Sequence, residues 1–155
     1  MTGIESSITI IIADFAQSES IVDCLKNLSS WPPKIILVSN DSNAKSRLKE
    51  DFSYNFISHK SKNIYQLWEQ GLASSETKLN LLITSNEIVT GHLKNSIETK
   101  IKDQPTTDKL FKIKKKIVFL KKVLKYPLEW PIDLPSSLVF IHHKDNFILK
   151  AKTSD

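Results

Sequence analysis

The sequence predicts an α/β protein with a mostly parallel sheet and helices on both of its faces. Between residues 7 and 102, short apolar segments rich in β-branched residues alternate four times with segments of helical character. This order is typical of strand–helix–strand units, whose strands lie parallel in one sheet. A chain of 155 residues, 40% of them hydrophobic, is long enough to bury a core. We therefore expect a single domain over residues 1–155, with its α/β core in residues 7–102.

The first half of the pattern is strand, helix, strand, helix. Residues 7–12 (SITIII) are predicted as a buried strand. Ser18 is a candidate N-cap for a helix that runs to about residue 28, where apolar side chains recur at helical spacing. Residues 34–38 (KIILV) are predicted as the second strand. A polar turn then leads into a short helix over residues 44–51.

The second half repeats the alternation and completes the predicted sheet. Residues 54–58 (YNFIS) are predicted as the third strand, and residues 64–73 as a helix with one apolar side. Residues 79–83 (LNLLI) form the fourth predicted strand, and residues 90–102 the helix that follows it. Right-handed crossovers between parallel strands leave few topologies for such a chain.

Beyond these helices the alternation stops. Residues 110–125 fit both a helical stripe and an alternating strand pattern. We favour a strand over residues 110–114 and a helix over residues 117–125. Residues 138–142 and 147–150 flank a polar turn and are predicted as a β-hairpin near the C-terminal end of the sequence.

Positive charge is concentrated in one segment, residues 109–125, which begins at Lys109, ends at Lys125 and holds no acidic residue. The net charge is +5, so the rest of the chain is weakly acidic. Three interpretations stay open: a solvated lysine face, docking on an anionic membrane surface, and contact with nucleic acid. The last is disfavoured because Arg47 is the one arginine in the sequence. The candidates for membrane or partner docking are Lys114, Lys115, Lys116, Lys121 and Lys122.

Several functional classes lack their sequence signals. There is no run of eighteen apolar residues, no signal-peptide pattern and no glycine-rich phosphate loop. The four histidines and Cys24 show no zinc-ligand spacing, and Cys24 falls on the apolar face of the first helix, so we expect it in the core. A single cysteine fits a reducing compartment, which predicts a cytoplasmic protein, with the inner membrane face as an extension of that prediction. The oligomeric state is not predicted.

Chemistry is expected in the elbow, residues 84–87, which follows the fourth predicted strand. Ligands of open α/β sheets bind at the carboxyl ends of the strands. Thr84, Ser85 and Asn86 offer neutral oxygen atoms there, and Glu87 offers the one carboxylate. A hard divalent cation is usually held by carboxylates. The sequence therefore predicts a ligand-binding elbow without the usual metal ligands.

Four stretches, in order, resemble the nucleotide-binding half of family 2 glycosyltransferases, which have the GT-A fold. Residues 21–28 (IVDCLKNL) are similar to the family's CLxSL helix, and residues 35–43 (IILVSNDSN) to its second strand and VDxGSxD turn. Residues 65–73 (YQLWEQGLA) are similar to its WNxGi helix, and residues 81–93 (LLITSNEIVTGHL) stand where it has LDADxxxxPxxL. The resemblance covers about residues 7–100 and implies a Rossmann-like, three-layer nucleotide-diphospho-sugar transferase fold.

The resemblance also implies an activity: transfer of a sugar from a nucleotide-diphosphate donor. In that family the DxD carboxylates hold a divalent ion, and a separate Asp acts as general base. Here the DxD positions hold Thr84, Ser85 and Asn86, so Mn²⁺ or Mg²⁺ is expected only if Glu87 and Asp41 suffice. The candidates for nucleotide-sugar binding are Asp14, Asp41, Thr84, Ser85, Asn86 and Glu87, and the candidates for the base, by position, are Asp133 and Glu129.

The resemblance supports two functional hypotheses, and the positively charged segment, residues 109–125, supports a third. The first is a divergent, metal-independent glycosyltransferase. The second is a non-catalytic GT-A-like module that binds a nucleotide, a glycan or a protein partner. The third is a basic docking module whose lysine segment meets a membrane or another subunit.

Overall fold

The computed structural model describes residues 8–15, 20–31, 34–48, 51–77 and 79–103, and four short strands beyond them. The described strands are β1 (Ile8–Asp14), β2 (Lys34–Ser39), β3 (Asn55–Ser58), β4 (Leu79–Thr84), β5 (Phe111–Lys112), β6 (Val118–Phe119), β7 (Lys122–Val123) and β8 (Leu138–Phe140). The described helices are α1 (Ile21–Ser29), α2 (Ala44–Arg47), α3 (Ile64–Ser74) and α4 (Gly91–Asp103).

Strands β1 to β4 form one parallel sheet in the order β3-β2-β1-β4. The chain builds outward from β1 through β2 to β3, then crosses back over the sheet to add β4 on the other side of β1. The direction of strand addition therefore reverses between β1 and β4. In doubly wound sheets, the carboxyl end of such a switch point is where ligands bind. The predicted mostly parallel sheet is confirmed.

Helices cover both faces of the sheet, as predicted. Strand β1 is buried along its whole length, and its alternating side chains enter two separate cores. Ile10 and Ile12 pack in a core with α1 and α4, whereas Ile11 packs on the opposite face with α3. Cys24 of α1 is fully buried in the first core, where desolvation raises the pKa of its thiol to about 12. This confirms the expectation that Cys24 is a core residue.

The sheet and α3 approach each other closely at Gly71. A Cβ atom on Gly71 would lie 2.2 Å from Cγ2 of Ile11, so only a residue without a side chain fits there. One turn earlier, the buried indole Nε1 of Trp68 donates a hydrogen bond of 2.9 Å to the carbonyl oxygen of Ile83. These two contacts fix α3 against β1 and β4.

Some predicted boundaries are wrong. Strand β1 continues through Asp14 because its last residues still find partners, with Asp14 opposite Ser39 in the parallel ladder. Helix α1 begins at Ile21 with Ser20, not Ser18, at its N-cap. Helix α2 ends at Arg47 because the next residue, the buried Leu48, already has an extended backbone.

The helix predicted over residues 117–125 is also wrong. Strands β6 and β7 pair there in antiparallel fashion, with Val118 opposite Val123. β-Branched and aromatic residues favour such cross-strand pairs, so local pairing prevailed over the helical stripe. Strand β5 lies within the strand predicted over residues 110–114, of which the structure describes only residues 111 and 112. Strand β8 falls in the first arm of the predicted hairpin. It pairs with β5 and contacts β4. The second predicted arm, residues 147–150, lies outside the described residues.

Candidate functional site

A polar side chain stands at or just beyond the carboxyl end of each strand of the main sheet. Asp14 ends β1 and Ser39 ends β2, while His59 directly follows β3 and Ser85 directly follows β4. The backbone ladder continues through these positions. The amide of His59 donates to the carbonyl oxygen of Ser39 at 2.9 Å. The amide of Ser85 donates to the carbonyl oxygen of Ala13 at 3.1 Å. Asp14, Ser39 and Ser85 therefore lie level with one another along the carboxyl edge, whereas His59 lies one position beyond Ser58, the residue opposite Ser39.

Asp14 is the most unusual of these residues, because it is a carboxyl group with only 1% of its surface exposed. Its Oδ2 accepts a hydrogen bond of 2.8 Å from the Ser39 hydroxyl. Its Oδ1 is buried and has no hydrogen-bond partner among the described residues. Burial raises the pKa of Asp14 above its ordinary value of 3.8, against the opposing effects of the Ser85 and Ser39 hydroxyls and of Arg47. The switch point thus contains a buried carboxyl on which the Ser39 and Ser85 hydroxyls act, and whose Oδ1 makes no close hydrogen bond among the described residues.

Asp41, the second predicted acid, lies near Asp14, but both of its carboxylate oxygens accept hydrogen bonds from nearby residues of the chain. Its Oδ1 accepts from the backbone amide of Asn43 at 2.9 Å, and its Oδ2 accepts from Nη2 of Arg47 at 2.5 Å. Its own amide donates to the Ser39 hydroxyl at 3.1 Å. The positive charge of Arg47 lowers the pKa of Asp14, and the negative charge of Asp41 raises it. The three groups therefore share one electrostatic environment at the ends of β1 and β2.

The elbow forms a closed turn at the end of β4. The amide of Glu87 donates to the carbonyl oxygen of Thr84 at 3.1 Å, and the Thr84 amide donates back to Oε2 of Glu87 at 3.3 Å. Ser85 is buried, whereas Asn86 is exposed and accepts a hydrogen bond from the hydroxyl of Ser20, the N-cap residue of α1. The carboxylate of Glu87 therefore helps to close the turn that carries it.

A clamp formed by Asn27 and Lys94 fixes the segment after the elbow to α1. The side chain of Asn27 both donates to the carbonyl oxygen of Val89, at 3.1 Å, and accepts from its amide, at 2.9 Å. Nζ of Lys94 donates to the carbonyl oxygen of Asn27 at 2.7 Å. Sequence analysis missed Asn27 because its partner is 62 residues away. It also missed His59, although the position of that residue directly after a predicted strand was an available signal.

The residues expected to hold Mn²⁺ or Mg²⁺ do not fit such an ion. Asp41 is bound by Arg47 and by a backbone amide, and Glu87 by the turn of the elbow. Within the described ranges, no three His, Cys, Asp or Glu side chains are grouped as a metal site. Divalent cations need several oxygen ligands, usually including carboxylates, that converge on one point.

The remaining predicted residues cannot be placed in this site. Asp133, Glu129, Lys114, Lys115, Lys116 and Lys121 lie outside the described residues, and for Lys122 only its backbone, in β7, is described. In the described part of the chain, no helix is long and apolar enough to cross a membrane.

Known structures share this fold at low sequence identity. CMP:2-keto-3-deoxy-manno-octonic acid synthetase complexed with CTP matches 90% of this chain and 75% of its own, with a TM-score of 0.58 and 9% identity. Two crystal structures of S. aureus TarS, one of them of its residues 1–349, match 63% and 64% of this chain with a TM-score of 0.51 and identities of 11% and 14%. This chain spans only 20% and 33% of those two TarS chains.

The comparisons define the class of fold. No protein-family model and no curated protein matches the sequence. The structural matches confirm the predicted α/β architecture, and this chain shares its fold with the synthetase and with part of TarS.

Proposed function

We propose that the carboxyl edge of β1 and β2 binds a nucleotide or a nucleotide-diphospho-sugar, and that this binding needs no divalent ion on the elbow. The observation that carries the proposal is the buried carboxyl of Asp14, whose Oδ1 has no partner among the described residues. Buried polar groups are normally satisfied, so an orphan acceptor at a ligand-binding edge favours a ligand that supplies the donor. A match to a fold that holds CTP supports the same class of ligand.

Arg47 is the cation we assign to the phosphate groups. Its side chain is 44% exposed and lies close enough to Asp14 to influence its charge. A guanidinium carries five donors in a planar fork, and phosphate oxygens fit that fork. The contact with Asp41 uses only one of the two terminal nitrogens of Arg47 in the described structure. The remaining donors can therefore take over part of the role that a metal ion plays in a carboxylate-bearing elbow.

The elbow is assigned to the sugar side of the ligand. Thr84 is half-buried and Asn86 is exposed, and their hydroxyl and amide groups suit sugar hydroxyls better than a cation. The buried Ser85 hydroxyl acts on Asp14 instead. We assign binding, not transfer, to the described part of the chain, because the candidates for the base, Asp133 and Glu129, lie beyond it. The sugar transfer implied by the family resemblance remains the competing hypothesis.

Titration calorimetry with UDP- and GDP-sugars, with and without Mn²⁺, tests the proposal. We expect binding whose dissociation constant is the same in Mn²⁺ and in a chelator. Arg47→Gln should weaken binding about tenfold or more, as expected for loss of a charge-assisted hydrogen bond. Lys45→Gln, an exposed cation on the same helix, is the matched control and should leave affinity unchanged.

Two results would overturn the proposal. Failure of every nucleotide and nucleotide-sugar to bind would remove the ligand class. Binding that appears only with Mn²⁺ would show that the elbow holds a metal after all. Release of free sugar or transfer to an added acceptor would restore the hypothesis of an active glycosyltransferase.

We assign no second function to the lysine segment, residues 109–125. The amphipathic helix that would lie on a lipid surface is replaced by β6 and β7 over part of residues 109–125. Docking of this segment on a membrane or a partner therefore remains a prediction from the sequence.

A further inference from the structure

Asp41 is held through both its backbone and its side chain in the turn that follows β2. Its amide donates to the Ser39 hydroxyl at 3.1 Å, and its carbonyl oxygen accepts from the amide of Ala44 at 3.1 Å. Its Oδ1 accepts from the amide of Asn43 at 2.9 Å. The side chain is half-buried. The other carboxylate oxygen, Oδ2, is therefore offered to Arg47 at one defined position.

The contact with Asp41 leaves donors of the Arg47 guanidinium available. In the described part of the chain the contact uses Nη2 and neither Nη1 nor Nε. An Nη2 group carries two hydrogens, one in the fork that it forms with Nε and one in the fork that it forms with Nη1. A contact to one oxygen fills one of these forks, so the other fork can donate to two oxygens of a phosphate group.

The orientation that Asp41 gives to Arg47 is towards the switch point, because the positive charge of Arg47 lowers the pKa of Asp14 at the end of β1. Ordering a long side chain during binding costs free energy, and a contact already made in the free protein reduces that cost. The carboxylate of Asp41 also repels a phosphate, but solvent screens this repulsion because the Arg47 side chain is exposed. The orienting effect should therefore exceed the repulsion.

We propose that Asp41 is a positioning residue, which orients Arg47 so that one fork of its guanidinium meets the phosphate groups of a nucleoside diphosphate. This inference rests on the proposed function and goes further, because it gives Asp41 a role through Arg47 instead of a contact with the ligand. A carboxylate that only repelled the ligand would have the opposite effect, since removal of its charge would then make binding tighter.

NMR of the arginine side chain tests the orientation without a ligand. Arg47 is the one arginine in the sequence, so the isotope-labelled full chain gives a single arginine Nε–H signal. Its heteronuclear Overhauser effect should be that of an ordered side chain in the native protein and should fall in Asp41→Asn. That variant keeps an oxygen that can accept from the Asn43 amide, so the turn stays closed. Asp23→Asn, which changes an exposed carboxylate of α1, is the control and should leave the signal unchanged.

Calorimetry with UDP, GDP and CDP in the presence of a chelator tests the effect on binding. We expect Asp41→Asn to bind each ligand of the native chain about two- to tenfold more weakly, the effect of ordering one long side chain. In the Arg47→Gln background the same substitution should not weaken binding, because only repulsion is then removed. Asp23→Asn should bind as the native chain does. Circular dichroism and thermal unfolding establish that each variant is folded.

The outcomes separate this inference from the function it rests on. If none of the three nucleotides binds the native chain, the proposed function fails, and this inference fails with it. If one binds and Asp41→Asn binds it equally well or more tightly, binding stands but the role of Asp41 is wrong. Equal order of the Arg47 side chain in the native protein and in Asp41→Asn would also overturn that role. A loss of affinity that persists in the Arg47→Gln background would overturn it in favour of direct contact between Asp41 and the ligand.

Discussion

Gly71 is the residue on which the contact between α3 and β1 depends. Gly71→Ala would place a methyl group 2.2 Å from Cγ2 of Ile11 and 3.3 Å from Cγ2 of Val38. Since both neighbours are buried branched side chains, overpacking should exceed the gain in helix propensity and lower the free energy of unfolding by about 1–3 kcal/mol. Urea unfolding measures this change.

Gly91 provides the matched control for that substitution. It begins α4, and a Cβ atom there would meet nothing within 4 Å. Gly91→Ala should therefore be neutral or stabilise by about 0.4–1 kcal/mol, because it restricts the unfolded chain without a clash. Equal effects of the two substitutions would contradict the close approach at Gly71.

Asp14 should make the stability of the protein depend on pH. Its pKa is raised above 3.8 in the folded protein, so the folded state holds the proton more tightly than the unfolded chain does. The stabilisation that this proton linkage contributes is complete below pH 3.8 and is lost as pH rises through the folded pKa. Asp14→Asn removes this dependence.

Urea unfolding at several pH values compares the two proteins. The free energy of unfolding of the native chain, relative to that of Asp14→Asn, should fall as pH rises above 3.8 and then level off. A difference that stays constant over this range would show that Asp14 titrates normally. A difference that grows with pH would mean that the pKa of Asp14 is lowered by folding.

At the scale of elements, Asn27 joins α1 to the segment that leads from β4 into α4. Asn27→Ala would remove both side-chain hydrogen bonds to Val89, whose amide and carbonyl groups then lose their partner. Val89 is buried, so leaving its backbone polar groups unpaired should lower the free energy of unfolding by about 1–3 kcal/mol.

Hydrogen exchange locates that effect. The Val89 amide should exchange faster in Asn27→Ala, while amides of β1 should change only as much as global stability does. Asn95→Ala, a substitution of an exposed asparagine on α4, is the control and should leave exchange at Val89 unchanged. Unaltered exchange in Asn27→Ala would mean that the elbow is held by other contacts.

At the scale of the whole molecule, the α/β core was predictable because its signals are local. Strand β1 is buried on both faces and appears in the sequence as a continuous apolar run, and α1 shows its apolar face at helical spacing. The candidate elbow was likewise found from the end of a strand. Within the core, the sequence analysis was wrong about where some elements end. Strand β1 includes Asp14 because that residue pairs with Ser39 of β2, a contact between distant parts of the sequence.

The roles of individual site residues could not be predicted because they depend on contacts between distant segments. Asp41 was predicted as a ligand-binding acid, but Arg47 and Asn43 occupy it in the fold. That Oδ1 of Asp14 has no close hydrogen-bond partner among the described residues becomes apparent only when strands β1, β2 and β4 are placed side by side. The helix predicted in the lysine segment was wrong for a different reason. Its local pattern of apolar residues fits both a helix and paired strands, so the sequence alone did not decide between them.

That segment yields the last prediction, on docking at a membrane. Charge alone attracts a lysine to an anionic surface by about 1 kcal/mol, but lasting adsorption also needs a buried apolar face. Because β6 and β7 replace part of the predicted helix, we expect little co-sedimentation with vesicles of anionic lipid at physiological salt. Replacing Lys114, Lys115 and Lys116 by Glu should then leave the bound fraction unchanged. Strong binding that this charge reversal abolishes would establish the segment as a membrane-docking site.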